Sequence, residues 1–140
     1  MNYKIIGKYI KNLNFTIPNA KTFFLLTKDI SNYKVNIDIK STQIKDKIIE
    51  VETSLNLLPI NDNFEKIDTK IILSTVVELM NNISDKEEIE KTVLIDVPSQ
   101  IYPDIRKIFI FLFENSGFKN IKISEKVNFQ ELYENRKSQK

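Results

Sequence analysis

The side chains that usually carry enzymatic chemistry are largely missing from this chain, and those that remain are carboxylates. Among its 140 residues there is no cysteine and no histidine. The first absence removes disulfides, thiolate nucleophiles and cysteine-containing metal sites. The second removes the one side chain whose unperturbed pKa lies near neutrality. The only glycines are Gly7 and Gly117, so neither a phosphate-cradling glycine loop nor a dinucleotide fingerprint can be written. Acid clusters such as Glu87-Glu88-Glu90 could be imagined as a metal or acid-base site, but with lysines interleaved they read as a solvated face. A carboxylate-dependent enzyme would need a paired, buried Asp or Glu in a pocket, and no such pair is indicated. No catalytic residue, metal ligand or cofactor is therefore expected.

Other classes narrow in the same way. The net charge is +2, with lysines and acids alternating and no basic block, whereas a nucleic-acid footprint needs clustered charge. Met1 to Tyr9 lack the pattern of a signal peptide, and no apolar run is long enough to cross a bilayer. The expectation is a soluble cytoplasmic protein with neither a nucleic-acid partner nor direct membrane insertion. The length suits a single domain over residues 1–140.

The elements can be read from periodicity. Period two dominates the first two thirds, as in strands that bury one face. Leu13, Phe15 and Ile17 share a parity that Lys11 interrupts, and Pro18 ends that strand. Asn19-Ala20-Lys21 turns the chain, and Phe23-Phe24-Leu25-Leu26 is expected to plug a sheet edge or form a packed connection. A second strand alternates through Tyr33, Val35, Ile37 and Ile39, and a third through Ile49, Val51, Thr53, Leu55 and Leu57. A fourth runs from Ile67 to Val77, where Ile72 and Val76 add apolar groups to the second face. Ser84-Asp85-Lys86-Glu87 resembles a helix start, yet Thr92-Val93-Leu94-Ile95 is strand-like, and the stretch stays ambiguous. Pro103 and Gly117 bracket a helix from about Pro103 to Ser116. A last helix opens at Asn128 as N-cap, with Glu131 three residues on, and Glu134 to Lys140 is expected to be a polar, flexible tail. The fold class is α+β: a four-stranded antiparallel sheet followed by two C-terminal helices.

The penultimate helix is apolar nearly all round. Ile108, Phe109 and Leu112 lie on one stripe, and Phe111 and Phe113 fill other sides. One sheet covers one side of a helix, so these five residues are expected to form an oligomer interface.

Several phrases carry a family resemblance. Tyr9-Ile10-Lys11-Asn12-Leu13-Asn14-Phe15, followed by Pro18-Asn19-Ala20, is similar to the opening strand of the SecB export-chaperone family. Pro98-Ser99-Gln100-Ile101-Tyr102-Pro103-Asp104-Ile105-Arg106 resembles that family's approach to its long helix. Gly117-Phe118, Ile121, Ile123, Val127-Asn128-Phe129 and Leu132-Tyr133 resemble its linker and final helix. The resemblance implies a bacterial, cytoplasmic, ATP-independent holding chaperone, assembled as a dimer of dimers through the long helix and edge strands. It would keep preproteins unfolded and deliver them to the translocase motor SecA. The chain departs from the family pattern in being slightly basic and in carrying Ser74-Thr75-Val76-Val77 where a glycine-rich segment is usual. Where the family places motor-docking acids, this chain has Asn12, Thr16 and Lys70, which would weaken electrostatic docking. An antitoxin of a toxin-antitoxin system is an alternative client, and a structural oligomer without clients is a further alternative.

A holding chaperone needs apolar grooves beside main-chain edges. The candidates for a client-binding groove are Phe23, Phe24, Val35, Ile37, Ile39, Phe129, Leu132 and Tyr133. The competing reading is that all of these are ordinary core, which any sheet needs at alternate positions and which weighs most for Val35, Ile37 and Ile39.

Overall fold

The computed structural model describes residues 2–28, 33–60, 67–80, 85–118, 121 and 123–138. In chain order the elements are β1 (Tyr3–Thr16), α1 (Ala20–Lys28), β2 (Tyr33–Lys45), β3 (Ile48–Pro59), β4 (Asp68–Leu79), α2 (Lys86–Lys91), a π turn (Thr92–Asp96), α3 (Val97–Glu114) and α4 (Phe129–Ser138). The four strands form one sheet in the order β1-β4-β3-β2, and every pairing is antiparallel. β1 and β2 are therefore its two edges.

The alternation read from β2, β3 and β4 is the observed facing. Val51, Leu55, Ile71 and Val77 are almost wholly buried on the helix side, while Glu50, Glu52, Ile72 and Val76 are half-buried on the other. The interruption at Lys11 is a β-bulge: the register with β4 slips between Ile10 and Asn12, and again between Ile5 and Gly7. Each bulge resets the parity of the strand, so Tyr3, Ile5, Ile10, Leu13 and Phe15 all pair with residues of β4 that face the helices.

On the outer face Glu50 of β3 ties three strands together. It accepts hydrogen bonds from the Ser74 hydroxyl of β4 (2.6 Å) and from the Tyr9 hydroxyl of β1, and it pairs with Lys11 at 3.5 Å. The Ser74 and Tyr9 hydroxyls, helped by Lys11, hold its carboxyl below the ordinary glutamate range. A depressed folded-state pKa stabilises the fold above the unfolded value of about 4.3, and that stability is lost as pH falls through the folded value. The gap in urea midpoint between wild type and Glu50→Gln should be constant near neutrality and close below about pH 4. A gap unchanged down to pH 3 would contradict this role.

Three elements differ from expectation. Phe23-Phe24-Leu25-Leu26 lies in helix α1, whose N-terminus is capped by Asn19: its Oδ1 accepts from the Thr22 N–H at 2.8 Å. The helix expected from Pro103 begins at Val97, so the first-turn proline is Pro98 and Pro103 is internal. The ambiguous stretch is the π turn, in which the Val97 N–H reaches back to the Thr92 carbonyl. Pro98 supplies a reason, because it has no N–H for the carbonyl four residues back and its ring crowds that carbonyl, favouring a wider turn. The C-terminus of α3 is as read. Gly117, at φ +96°, donates to Glu114 O (3.4 Å) and Phe118 donates to Phe113 O (3.0 Å), the Schellman arrangement. A Cβ at Gly117 would also sit 3.1 Å from the Phe23 ring.

The helices pack on one face of the sheet. Val97, Ile101, Ile105 and Phe109 recur every fourth residue along α3 and are almost completely buried. The far side of α3 is covered partly by the chain itself. Tyr102 donates to Ser124 O at 2.7 Å, Arg106 to Ile123 O at 3.0 Å, and Phe118 packs on Phe113 at 5.5 Å. α4 continues to Ser138, so residues 134–138 of the expected tail are helical; 139 and 140 lie outside the described residues.

Candidate functional site

α4 is placed by a chain of specific contacts. Asn128 caps it, accepting from the Glu131 N–H at 3.0 Å as the spacing predicts. Phe129 drops into the core against the Tyr102 ring, 6.0 Å centre to centre. Beyond that anchor the helix is held by polar contacts. Tyr133 donates to Glu90 (3.2 Å), Lys137 pairs with Glu87 (3.6 Å), and Arg136 Nη1 donates to the main-chain oxygen of Ile39 (2.9 Å). The proximity of Glu87 raises the Lys137 pKa, and Lys137 with Lys91 lowers that of Glu87.

The last of these bonds reveals the site. Ile39 lies on edge strand β2, and its carbonyl points away from β3 toward α4. Alternation in an antiparallel ladder turns the main-chain groups of Ile37 to the same free edge. Between this edge and α4 lie two adjoining cavities. The larger, about 520 Å³, is lined by Ile37, Ile39, Leu94, Leu132 and Tyr133 together with the polar Asn36, Asp38, Asn135 and Arg136. The smaller, about 260 Å³, includes Lys40, Glu90, Val93, Arg136 and Lys137. Together they form a groove with apolar side chains and a main-chain edge along one side.

Of the residues expected to line such a groove, Ile37, Ile39, Leu132 and Tyr133 come together here. Val35 is half-buried against the core, outside the two cavities. Phe129 is core at 2% exposure, which corrects its assignment to the groove. Phe23 packs on Phe118 (5.1 Å) at the end of α3, and Phe24, 62% exposed, lies beside it; both are set apart from the groove. Leu94, Lys40, Arg136 and Lys137 were missed. Leu94 fell in the ambiguous stretch and Arg136 in the expected tail, although the spacing 129, 132, 133, 136 continues one helix face.

The five expected interface residues divide. Phe109 and Phe113 are completely buried within one chain, which corrects their assignment; Ile108 and Leu112 are half-buried, and Phe111 is 61% exposed. Asn12, Thr16 and Lys70 are exposed and neighbour one another on the outer face, where Lys70 pairs with Asn14 between the other two. The acids of α2 are engaged structurally. Glu87 pairs with Lys91 and Lys137, Glu88 accepts from Asn2, and Glu90 accepts from Tyr133. Among the described residues no group of three or more Asp or Glu could hold a metal, and no helix is long and apolar enough to cross a membrane.

The family description "Preprotein translocase subunit SecB" matches residues 1–140. The chain belongs to the SecB family. A relative named for SecB in Pelagibacter ubique is 42% identical over 135 residues, covering 96% of both chains. The protein-export protein SecB of Rhodospirillum rubrum is 27% identical, covering 94% of this chain and 80% of that one. Among solved structures, a SecB-like chaperone of Mycobacterium tuberculosis, in complex with a peptide from an antitoxin, superposes with a TM-score of 0.65. It shares 11% identity and covers 90% of this chain and 88% of its own. The last likeness speaks for the SecB-like fold.

Proposed function

We propose that this SecB-family chain is a holding chaperone that keeps export-bound polypeptides unfolded by seating extended segments in the groove between β2 and α4. The observation that carries this is the juxtaposition of Ile37, Leu94 and Leu132 with the free edge of β2. Unfolded chains present apolar side chains together with unpaired main chain, and such a groove offers a partner for each. Binding is passive, without nucleotide or cofactor, and takes place in the cytoplasm. Export clients are preferred over a dedicated antitoxin because the relative named for SecB is 42% identical and matches both chains almost end to end.

The exposed apolar strip formed by Ile10, Leu13 and Phe111 supports self-association, in the dimer-of-dimers arrangement expected of the family. Docking to the SecA motor through the outer face is weak, since Asn12, Thr16 and Lys70 supply no acid there.

The test is a refolding assay with a chemically unfolded client. Wild-type chaperone should slow refolding, and Leu132→Asp should weaken client affinity by roughly ten- to a hundredfold, because it removes a burial worth roughly 1.5–3 kcal/mol. Leu132 is 40% exposed, so the fold survives its replacement. A wild-type protein that leaves refolding unchanged sinks the proposal.

A further inference from the structure

α4 holds to the domain by two different means along its length. Its first turns are anchored by burial, with Phe129 2% and Tyr133 7% exposed. Beyond Tyr133 the sequence Glu134-Asn135-Arg136-Lys137-Ser138 contains no apolar residue, so polar contacts hold this part. The Lys137–Glu87 pair is more than half exposed on both sides, and exposed ion pairs contribute little. The partly buried bond from Arg136 Nη1 to the Ile39 carbonyl, 2.9 Å long, ties this end of the helix to the sheet.

That carbonyl belongs to the free edge of β2. In an antiparallel ladder alternate residues turn both main-chain groups outward. Because α4 reaches Ile39, the outward set is Val35, Ile37, Ile39 and Ser41, which lie in an unbroken stretch of register with β3. An extended segment that adds to this edge must bond to the same groups. It finds Val35 and Ile37 open, and at Ile39 it meets Arg136 already on the acceptor.

We propose that the Arg136–Ile39 bond is a latch that closes the β2 edge in the empty chaperone, and that a client opens it by competing for the Ile39 carbonyl. This rests on the reading that the groove takes an extended polypeptide. While shut, the latch keeps the edge from pairing with the edges of other copies. When the client's main-chain N–H takes the carbonyl, α4 beyond Tyr133 loses its tie to the sheet and moves outward, with Phe129 left as the anchor. One hydrogen bond to the carbonyl replaces another, and Arg136, on the surface of the domain, turns to water. The exchange is close to balanced, so burial of the client's apolar side chains tips it.

Fluorescence anisotropy with an uncharged apolar peptide tests this, beside the same peptide with its main-chain amides N-methylated. Arg136→Met removes the donors and keeps the stem. The variant should bind the plain peptide roughly two- to tenfold more tightly than wild type, the scale of one hydrogen bond freed from competition. It should bind the methylated peptide no more tightly than wild type does. In wild type, saturating plain peptide should speed amide exchange in residues 134–138 and slow it in residues 35–39. Equal or weaker binding of the plain peptide by the variant overturns the inference and makes Arg136 a structural support of the groove wall. An equal gain with both peptides overturns it as well, since the main chain would then play no part, and so does exchange in 134–138 that ignores the peptide. Arg136 is exposed, so the variant keeps its fold, which circular dichroism and the urea midpoint check. A wild type that binds neither peptide refutes the groove reading itself, ahead of the latch.

Discussion

Phe113→Ala should lower the free energy of unfolding by about 3–5 kcal/mol, a large fraction of the 5–15 kcal/mol typical of a domain. Phe113 is fully buried where α3 meets β1 and the segment that follows the helix. Its ring lies 4.9 Å from Phe15 in an edge-to-face contact, 4.9 Å from Phe109 and 5.5 Å from Phe118. Truncation leaves a cavity that rigid neighbours on three elements cannot refill, and it forfeits aromatic contacts worth about 0.5–1.5 kcal/mol each. Denaturant midpoints at several protein concentrations would measure it, since association adds to apparent stability. A loss under about 1 kcal/mol would mean that this junction is softer than its packing implies.

Two residues earlier on the same helix, Phe111→Asp should leave the fold intact and abolish self-association. Phe111 is 61% exposed, and Ile10 and Leu13 of β1 are 49% and 42% exposed. One contact relates the two elements: Lys8 of β1 pairs with Asp104 of α3 at 2.9 Å. Ile10 lies two residues beyond Lys8 on β1, and Phe111 lies seven residues beyond Asp104, about two turns along the same helix face. A strip of this kind left in water favours aggregation or assembly. A carboxylate at its centre would have to be desolvated on association, at a cost of several kcal/mol. Light scattering should find an oligomer for wild type and a monomer for the variant, with unchanged circular dichroism for both. A monomeric wild type would refute the assembly.

The strands were legible because a half-solvated antiparallel sheet writes its facing into every second residue, and β3 does so without exception from Ile49 to Leu57. β1 was less clear because two bulges reset its parity. Helix α1 was missed because four consecutive apolar residues have no period, although Asn19 carried a cap signal. Two prolines, Pro98 and Pro103, both suit a first turn, and the sequence alone does not separate them. Phe109 and Phe113 were assigned to an interface on the premise that the sheet alone covers α3. Phe118, Ile123 and Ser124, beyond the end of the helix, also cover it, and irregular segments leave no periodic trace. The groove was half visible: its apolar wall follows from alternation, whereas Leu94 and Arg136 depend on how the π turn and α4 are placed.

That π turn sets the angular phase between the two parts of one long helical rod. A residue gained or lost in a helix rotates everything beyond it by about 100°. The extra residue of the wide turn thus determines that Glu87 and Glu90 point toward α4 while Val97 and Ile101 point into the sheet. Length changes within Thr92–Asp96 are accordingly as consequential as substitutions in the core. A single deletion there would leave both parts helical and turn the acids away from Tyr133 and Lys137, detaching the groove's outer wall without unfolding the domain.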